Sequence, residues 1–251
     1  MCTLTWRALG GAGGYELWFN RDELRTRAAE LPPQACRTAD GVAFLAPKDG
    51  QRGGTWLASN EYGLTVALLN DYGVTWRPSE PTRSRGDVVL AAAGAADLDA
   101  VAETLAEETL RHTGAFTLVA LAAKAECGVW HWDGVRLMAT RGAAVPDFFS
   151  SSSYRTETVI AARREAFLRC GAEGGAERQA YHFSHDKTRG AESVLMARPD
   201  ACTRSVCAVR VEAGEVMLDY VPVRWGGEGA QPGEAVRTNL RRVRREAGGA
   251  T

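Results

Sequence analysis

The sequence predicts an α+β protein in which antiparallel sheets are stacked and flanked by helices. Short apolar runs of period two recur between glycine-rich turns, with 27 glycines in the chain, so hairpins should dominate. Two stretches, residues 85–111 and 156–170, change to the three- and four-residue spacing of helices. No regular strand–helix–strand alternation connects them, which argues against a doubly wound parallel sheet. Of the 251 residues 45% are hydrophobic and 24% charged, the composition of a globular chain able to bury a core.

Thr3 to Leu9 and Tyr15 to Asn20 flank Gly10-Gly11-Ala12-Gly13-Gly14 and read as an opening hairpin. After a loop carrying Pro32-Pro33, Val42 to Ala46, Thr55 to Ser59 and Leu64 to Leu69 are short strands, the last two joined across the turn Asn60-Glu61-Tyr62-Gly63. Between Arg85 and Arg111, Leu98, Val101 and Leu105 share a helical face, with Asp97 and Asp99 near the positive N-terminus and Gly114 closing the segment. Phe116 to Ala122 and Gly128 to Trp132 return to strands, and Asp133-Gly134 before Val135 to Met138 is a strong hairpin signal. Thr156 to Cys170 is a second helical region, with Val159, Ile160, Phe167 and Cys170 inward and Arg163, Arg164 and Glu165 mostly outward. A solvated loop follows to about Lys187, and Ser205 to Val211 with Glu215 to Val221 form a last hairpin. Residues 1–225 are expected as one domain, and 226–251 as a glycine-rich linker with a basic tail containing Arg237, Arg241, Arg242, Arg244 and Arg245.

Thirty Lys and Arg against 31 Asp and Glu leave a net charge of -1, so no global field draws the chain to nucleic acid or an anionic membrane. The short arginine run near the end reads as a solvated terminus rather than a nucleic-acid arm. No apolar stretch has transmembrane length, and none of the six cysteines forms a C-x-x-C pair, so the expectation is a cytoplasmic protein with reduced thiols and no metal or organic cofactor. The run His182-Phe183-Ser184-His185-Asp186 reads as solvated loop rather than a ligand set.

Cys2 is the most informative residue. A small second residue normally permits removal of Met1, which would leave one residue carrying both a thiol and a free α-amine. An α-amine with an ordinary pKa of about 7.7 to 8.0 can take the thiol proton near neutral pH, and the thiolate can attack a carbonyl. The alternative is a small apolar residue at the start of a strand. Asn20-Arg21-Asp22-Glu23 ends the second strand, so hairpin pairing brings Arg21 and Asp22 towards Cys2, with an Asp22 carboxylate oxygen expected within reach of the Cys2 nitrogen. Asn70 ends the run Thr65 to Leu69, where its amide can donate to a developing oxyanion or simply make a turn. Gly53-Gly54-Thr55-Trp56 supplies a turn and an aromatic wall.

Met1-Cys2-Thr3, Asn20-Arg21-Asp22-Glu23, Gly53-Gly54-Thr55-Trp56-Leu57 and Asn60-Glu61-Tyr62-Gly63-Leu64 through Asn70 occur in an order that resembles the NRDE-domain, or transport and Golgi organisation protein 2, family. Phe149-Ser150-Ser151-Ser152-Ser153 and Ser193 to Arg198 through Thr203-Arg204-Ser205 extend the resemblance to about Val223. It implies a four-layer αββα sandwich of the N-terminal nucleophile hydrolase type and a distant likeness to choloylglycine hydrolases and penicillin V acylases, which cleave linear amides. By that resemblance Cys2 is the nucleophile, Asp22 contacts the α-amine, Asn70 lines the oxyanion hole and Arg204 matches a late active-site arginine; Arg21 has no direct counterpart there and is a further catalytic candidate from its hairpin position near Cys2. Asn20, Trp56, Ser151 and Ser152 would line the substrate side. Phe19 stands where those acylases carry an arginine, and Ser151-Ser152 where they carry Thr-Asn. The implied function is a cysteine amidohydrolase acting on a small molecule; the rival is a carrier of lipid, acyl-CoA or haem that uses the same pocket without turnover.

Overall fold

The opening hairpin forms around the glycine turn: β1 (Cys2–Leu9) and β2 (Gly14–Leu24) pair antiparallel, with Leu9 opposite Gly14. A Cβ at Gly14 would lie 2.3 Å from the Val211 carbonyl oxygen, so only glycine lets the next strand approach there. The computed structural model describes residues 1–10, 13–74, 83–171, 174–227 and 229–243. Around the hairpin, β10 (Phe148–Ser151) pairs with β1, and β11 (Ala201–Val211) pairs with β2 and β12 (Glu215–Gly226). The second sheet is a meander in chain order: β3 (Leu31–Arg37), β4 (Ala43–Lys48), β5 (Leu57–Asn60), β6 (Thr65–Asn70), β7 (Phe116–Ala122), β8 (Glu126–Trp132) and β9 (Leu137–Arg141).

The inner layer between the sheets is apolar. Leu4, Leu17, Phe19 and Val209 from one sheet meet Leu45, Ala67, Leu69 and Val119 from the other, and all are essentially solvent-free. Helices cover the outer faces. On the second sheet Val88 and Val89 of α1 (Arg85–Ala92) and Val101 of α2 (Leu98–Thr104) pack on Val66, Leu68 and Leu118, and a short α3 (Glu107–Leu110) follows. On the first, Phe167 of α4 (Thr156–Arg169) and Tyr181 of α5 (Gly175–His182) pack on Phe148. The layers are therefore α, β, β, α, as the fold-class expectation required. No helix among the described residues is long and apolar enough to cross a membrane.

Three segments depart from expectation. Pro32-Pro33 lies in β3 rather than in a loop, which is tolerated because β3 is an edge strand and the register shifts between Leu31 and Gln34. The stretch expected as a solvated loop up to Lys187 contains α5. Its sequence carries no apolar stripe, and it is held instead by Tyr181 against Phe167 and by His182 stacked on Trp18. Within the expected linker and tail, β13 (Gly229–Pro232) and β14 (Val236–Arg241) both pair with β12. The tail arginines serve that strand: Arg237 pairs with Asp219, and Arg242 donates to the Glu212 carbonyl. Arg244 and Arg245 lie outside the described residues.

Candidate active site

Cys2 stands between two strands, directly opposite Arg21 of β2 and Ser151 of β10. Side chains directly opposite share a face, and successive residues alternate. The pleat therefore splits the four-residue motif: Arg21 lies on the inter-sheet face with Cys2, while Asn20 and Asp22 face the helices. Cys2 is only 8% exposed, and its backbone N–H donates to Ser151 Oγ at 3.1 Å.

The helix-facing half is a buried polar network. Asp22 accepts from Arg163 at 3.0 Å and from Thr203 Oγ1 at 2.6 Å, and the Asp22 and Arg163 side chains are both solvent-free. Arg163 also donates to Thr3 Oγ1 and the Ala191 carbonyl. Asn20 bonds His182 at Nδ1 and donates to the His182 carbonyl, and the other imidazole nitrogen meets Thr5. The strand pairing around Cys2 is as expected, but the Asp22 carboxylate spends its hydrogen bonds on Arg163 and Thr203 rather than on the Cys2 nitrogen. Asn20 likewise points away from the cavity. Arg163, expected on the outward side of its helix, is fully buried because Asp22 supplies its counter-charge.

With Met1 in place, its α-ammonium donates to the Asp22 carbonyl at 3.1 Å, and the Asp22 N–H donates back to the Met1 carbonyl at 2.9 Å. Burial alone would lower the α-ammonium pKa, but the nearby Tyr72, Cys2, Asp22 and Glu23 outweigh it and raise it. Burial raises the Cys2 thiol pKa, offset in part by the adjacent α-ammonium, the Asp22 N–H and Arg21. In this state the thiol is held protonated.

Cys2 lines a cavity of about 480 Å³ at the ends of the strands, shared with Arg21, Trp56, Asn70 and Tyr72. Arg21 is held by Asp49 at 2.6 Å, by Glu30 and by Glu23, with its guanidinium 4.4 Å from the Trp56 ring centre. Arg27 reinforces Asp49, whose carboxyl burial would raise; hydrogen bonds from Arg27 and the Arg52 N–H, with the charges of Arg27 and Arg21, hold it below the usual range. Arg52, Arg83 and Arg85 line the same cavity, so its wall is rich in guanidinium groups. Asn70 donates to the Tyr72 hydroxyl at 2.9 Å, and both residues also line an adjoining cavity of about 150 Å³ together with Ser151 and Ser152. Ser152 caps the turn into α4 through Tyr154 and Thr156 and donates to the Met1 sulfur. Arg204 does not join this group: it is half-buried at the β11 irregularity between Thr203 and Ser205 and is not part of the cavity wall.

The structure thus gathers Cys2, Arg21, Asn70, Trp56, Ser151 and Ser152 around the two cavities, with Asp22 reaching the larger one while its carboxylate faces the helices, and leaves Asn20 and Arg204 aside. Sequence reasoning missed Arg163, Thr203, Asp49 and Tyr72. The only sequence signal for Arg163 was an arginine at helical spacing from Val159 and Phe167.

A model of the family described as Transport and Golgi organisation 2 matches residues 1–166. The chain belongs to that family. The family match runs from β1 into α4 and so includes every residue lining the two cavities. No curated protein matches the sequence. Among solved structures, a penicillin V acylase from Agrobacterium tumefaciens is similar at 11% identity and a TM-score of 0.51, covering 88% of this chain and 86% of that one. The C2A mutant of conjugated bile acid hydrolase from Clostridium perfringens is similar at 13% identity and a TM-score of 0.54, covering 94% and 92%. The αββα sandwich of this TANGO2-family chain is therefore shared with that acylase and that hydrolase. At such identity the likeness is one of fold.

Proposed function

We propose that the protein is an N-terminal cysteine nucleophile amidohydrolase, acting on a linear C–N amide bond of a small molecule once Met1 has been removed. The observation that carries this reading is Cys2 itself, second in the chain and lining a cavity in a fold shared with amide-cleaving enzymes. The freed α-amine takes the thiol proton, and Sγ attacks the substrate carbonyl. The Asn70 amide is the side-chain donor available to the developing oxyanion. Collapse breaks the C–N bond, and the proton passes from the α-ammonium to the departing amine. Water then opens the thioester, releasing the acid and restoring the thiol. Arg21, fixed by carboxylates, favours the thiolate, whereas Asp22 acts through its backbone, with Arg163 and Thr203 holding the strand segment that carries it.

The test is intact-mass screening of the Met1-free protein against amide and thioester libraries. An adduct confined to Cys2, with released amine, supports the hydrolase. The second reading, a non-catalytic carrier or binding protein for lipid, acyl-CoA or haem, is favoured by the buried, protonated thiol of the Met1-capped chain. Tight ligand retention with neither adduct nor turnover in the Met1-free protein would select it. The subcellular site is proposed as the cytoplasm, from the reduced thiols.

A further inference from the structure

Met1 already forms an acyl bond to the residue proposed as nucleophile. Its carbonyl oxygen accepts from the Asp22 backbone N–H at 2.9 Å. Met1 as a residue is 6% exposed, and it packs with Met196, Ala201 and Tyr72. The sulfur lies 3.0 Å from Ser152 Oγ, and Arg198 closes the far end with its guanidinium over the Tyr154 ring. This seat adjoins both cavities: Met1 and Tyr72 line the larger, while Tyr72 and Ser152 line the smaller.

When Met1 leaves, the Asp22 N–H loses its carbonyl acceptor and keeps only the Cys2 sulfur, a weak acceptor, so a replacement oxygen is favoured there. An acyl group on the Cys2 nitrogen and one on its sulfur are related through the small ring of sulfur, Cβ, Cα, nitrogen and carbonyl carbon. The oxygen and chain of an acyl group on Sγ therefore fall close to where those of Met1 lie. We infer that the vacated seat of Met1 is the acyl subsite of the processed protein: the Asp22 backbone N–H binds the substrate carbonyl oxygen, and the pocket of Met196, Ala201 and Tyr72 takes a short, unbranched apolar chain. This rests on the amidohydrolase reading for the reaction but not for the binding. Methionine is itself unbranched and flexible, which sets the favoured acyl length at about four to six carbons. The amine portion of the substrate then occupies the larger, guanidinium-rich cavity.

The experiment compares full-length protein whose Met1 has been removed in the cell with protein made under methionine aminopeptidase inhibition, both checked by mass. Calorimetry with straight-chain amides from acetamide to decanamide reads the seat without chemistry. Binding is expected only in the processed form, with an optimum near hexanamide, retained in Cys2→Ala and shifted to longer chains in Met196→Ala. Equal binding by both forms, no binding by either, or an optimum unmoved by Met196→Ala overturns the inference. In parallel, p-nitrophenyl esters of the same acids read the nucleophile: the C–S bond forms, the ester C–O bond breaks, p-nitrophenolate leaves, and the thiol proton passes through the α-amine to water. A Cys2 acyl adduct without chain-length preference removes the seat and keeps the nucleophile. Chain-selective binding without any adduct keeps the seat and removes the hydrolase.

Discussion

Asn70 and Arg163 separate chemistry from architecture. An oxyanion donor acts on charge that develops in the transition state, so Asn70→Ala should cut turnover about a hundredfold to a thousandfold, about 2.7 to 4 kcal/mol, with little change in ligand affinity or melting temperature. If melting temperature falls and turnover per folded molecule holds, Asn70 is a turn residue. Arg163 behaves in the opposite way. Removing it strands a fully buried Asp22 carboxylate, so Arg163→Met should destabilise the fold by about 3 to 5 kcal/mol in denaturant melts. Adding Asp22→Asn should recover part of that loss, because the uncompensated charge is then gone. An additive double variant would contradict the pairing. At this scale Cys2 was legible from position and Arg21 from hairpin arithmetic. Arg163 was not, because the charge that permits its burial stands 141 residues earlier in the chain.

Elements were legible where local pattern and tertiary packing agree. β1 and β2 alternate cleanly about a glycine turn, and β4 to β6 and β7 to β9 follow as short-range hairpins separated by α1 to α3. α5 was not legible, because its inward residues are Arg178, Tyr181 and His182 and no hydrophobic periodicity marks them. What docks it is polar and aromatic: His182 bonded to Asn20 and Thr5, and Arg178 paired with Asp147. Burial, reinforced by the Arg178 charge, lowers the His182 pKa well below its ordinary value of 6.5. The unfolded chain therefore takes up a proton below about pH 6.5 that the folded chain refuses, and stability must fall as pH drops through that range. Melting temperatures between pH 7 and pH 5 should decline, and His182→Gln should flatten the slope. An unchanged slope would mean that other groups govern acid sensitivity.

Across the whole molecule, the two sheets are joined by more than their shared apolar layer. β14 pairs with β12, and beyond it the Val243 N–H donates to the Glu61 carbonyl of the second sheet at 2.7 Å, while Leu240 packs against the inter-sheet core. Its basic composition concealed this, since a strand carrying Arg237 and Arg241 and followed by Arg242 reads like a solvated terminus. Ending the chain after Gly226 should therefore lower the melting temperature by several degrees and expose dye-binding apolar surface, whereas ending it after Val243 should not. Equal melting temperatures for the two would show that β14 is dispensable.

The ladder that buries Met1 also sets a schedule for synthesis. Met1 is enclosed once β1 is held by β2 and by β10 and its seat is closed by Met196, Ala201 and Arg198; Arg198 is made 197 residues after it. At roughly 5 to 20 residues per second, about 10 to 40 seconds pass between Met1 and Arg198. An aminopeptidase that meets the nascent chain in that interval finds Met1 exposed; later it meets a residue sealed between strands. If the Met1-free chain is the form with a competent site, as proposed above, its share would then be decided on the ribosome, by the race between translation speed and removal of a single residue.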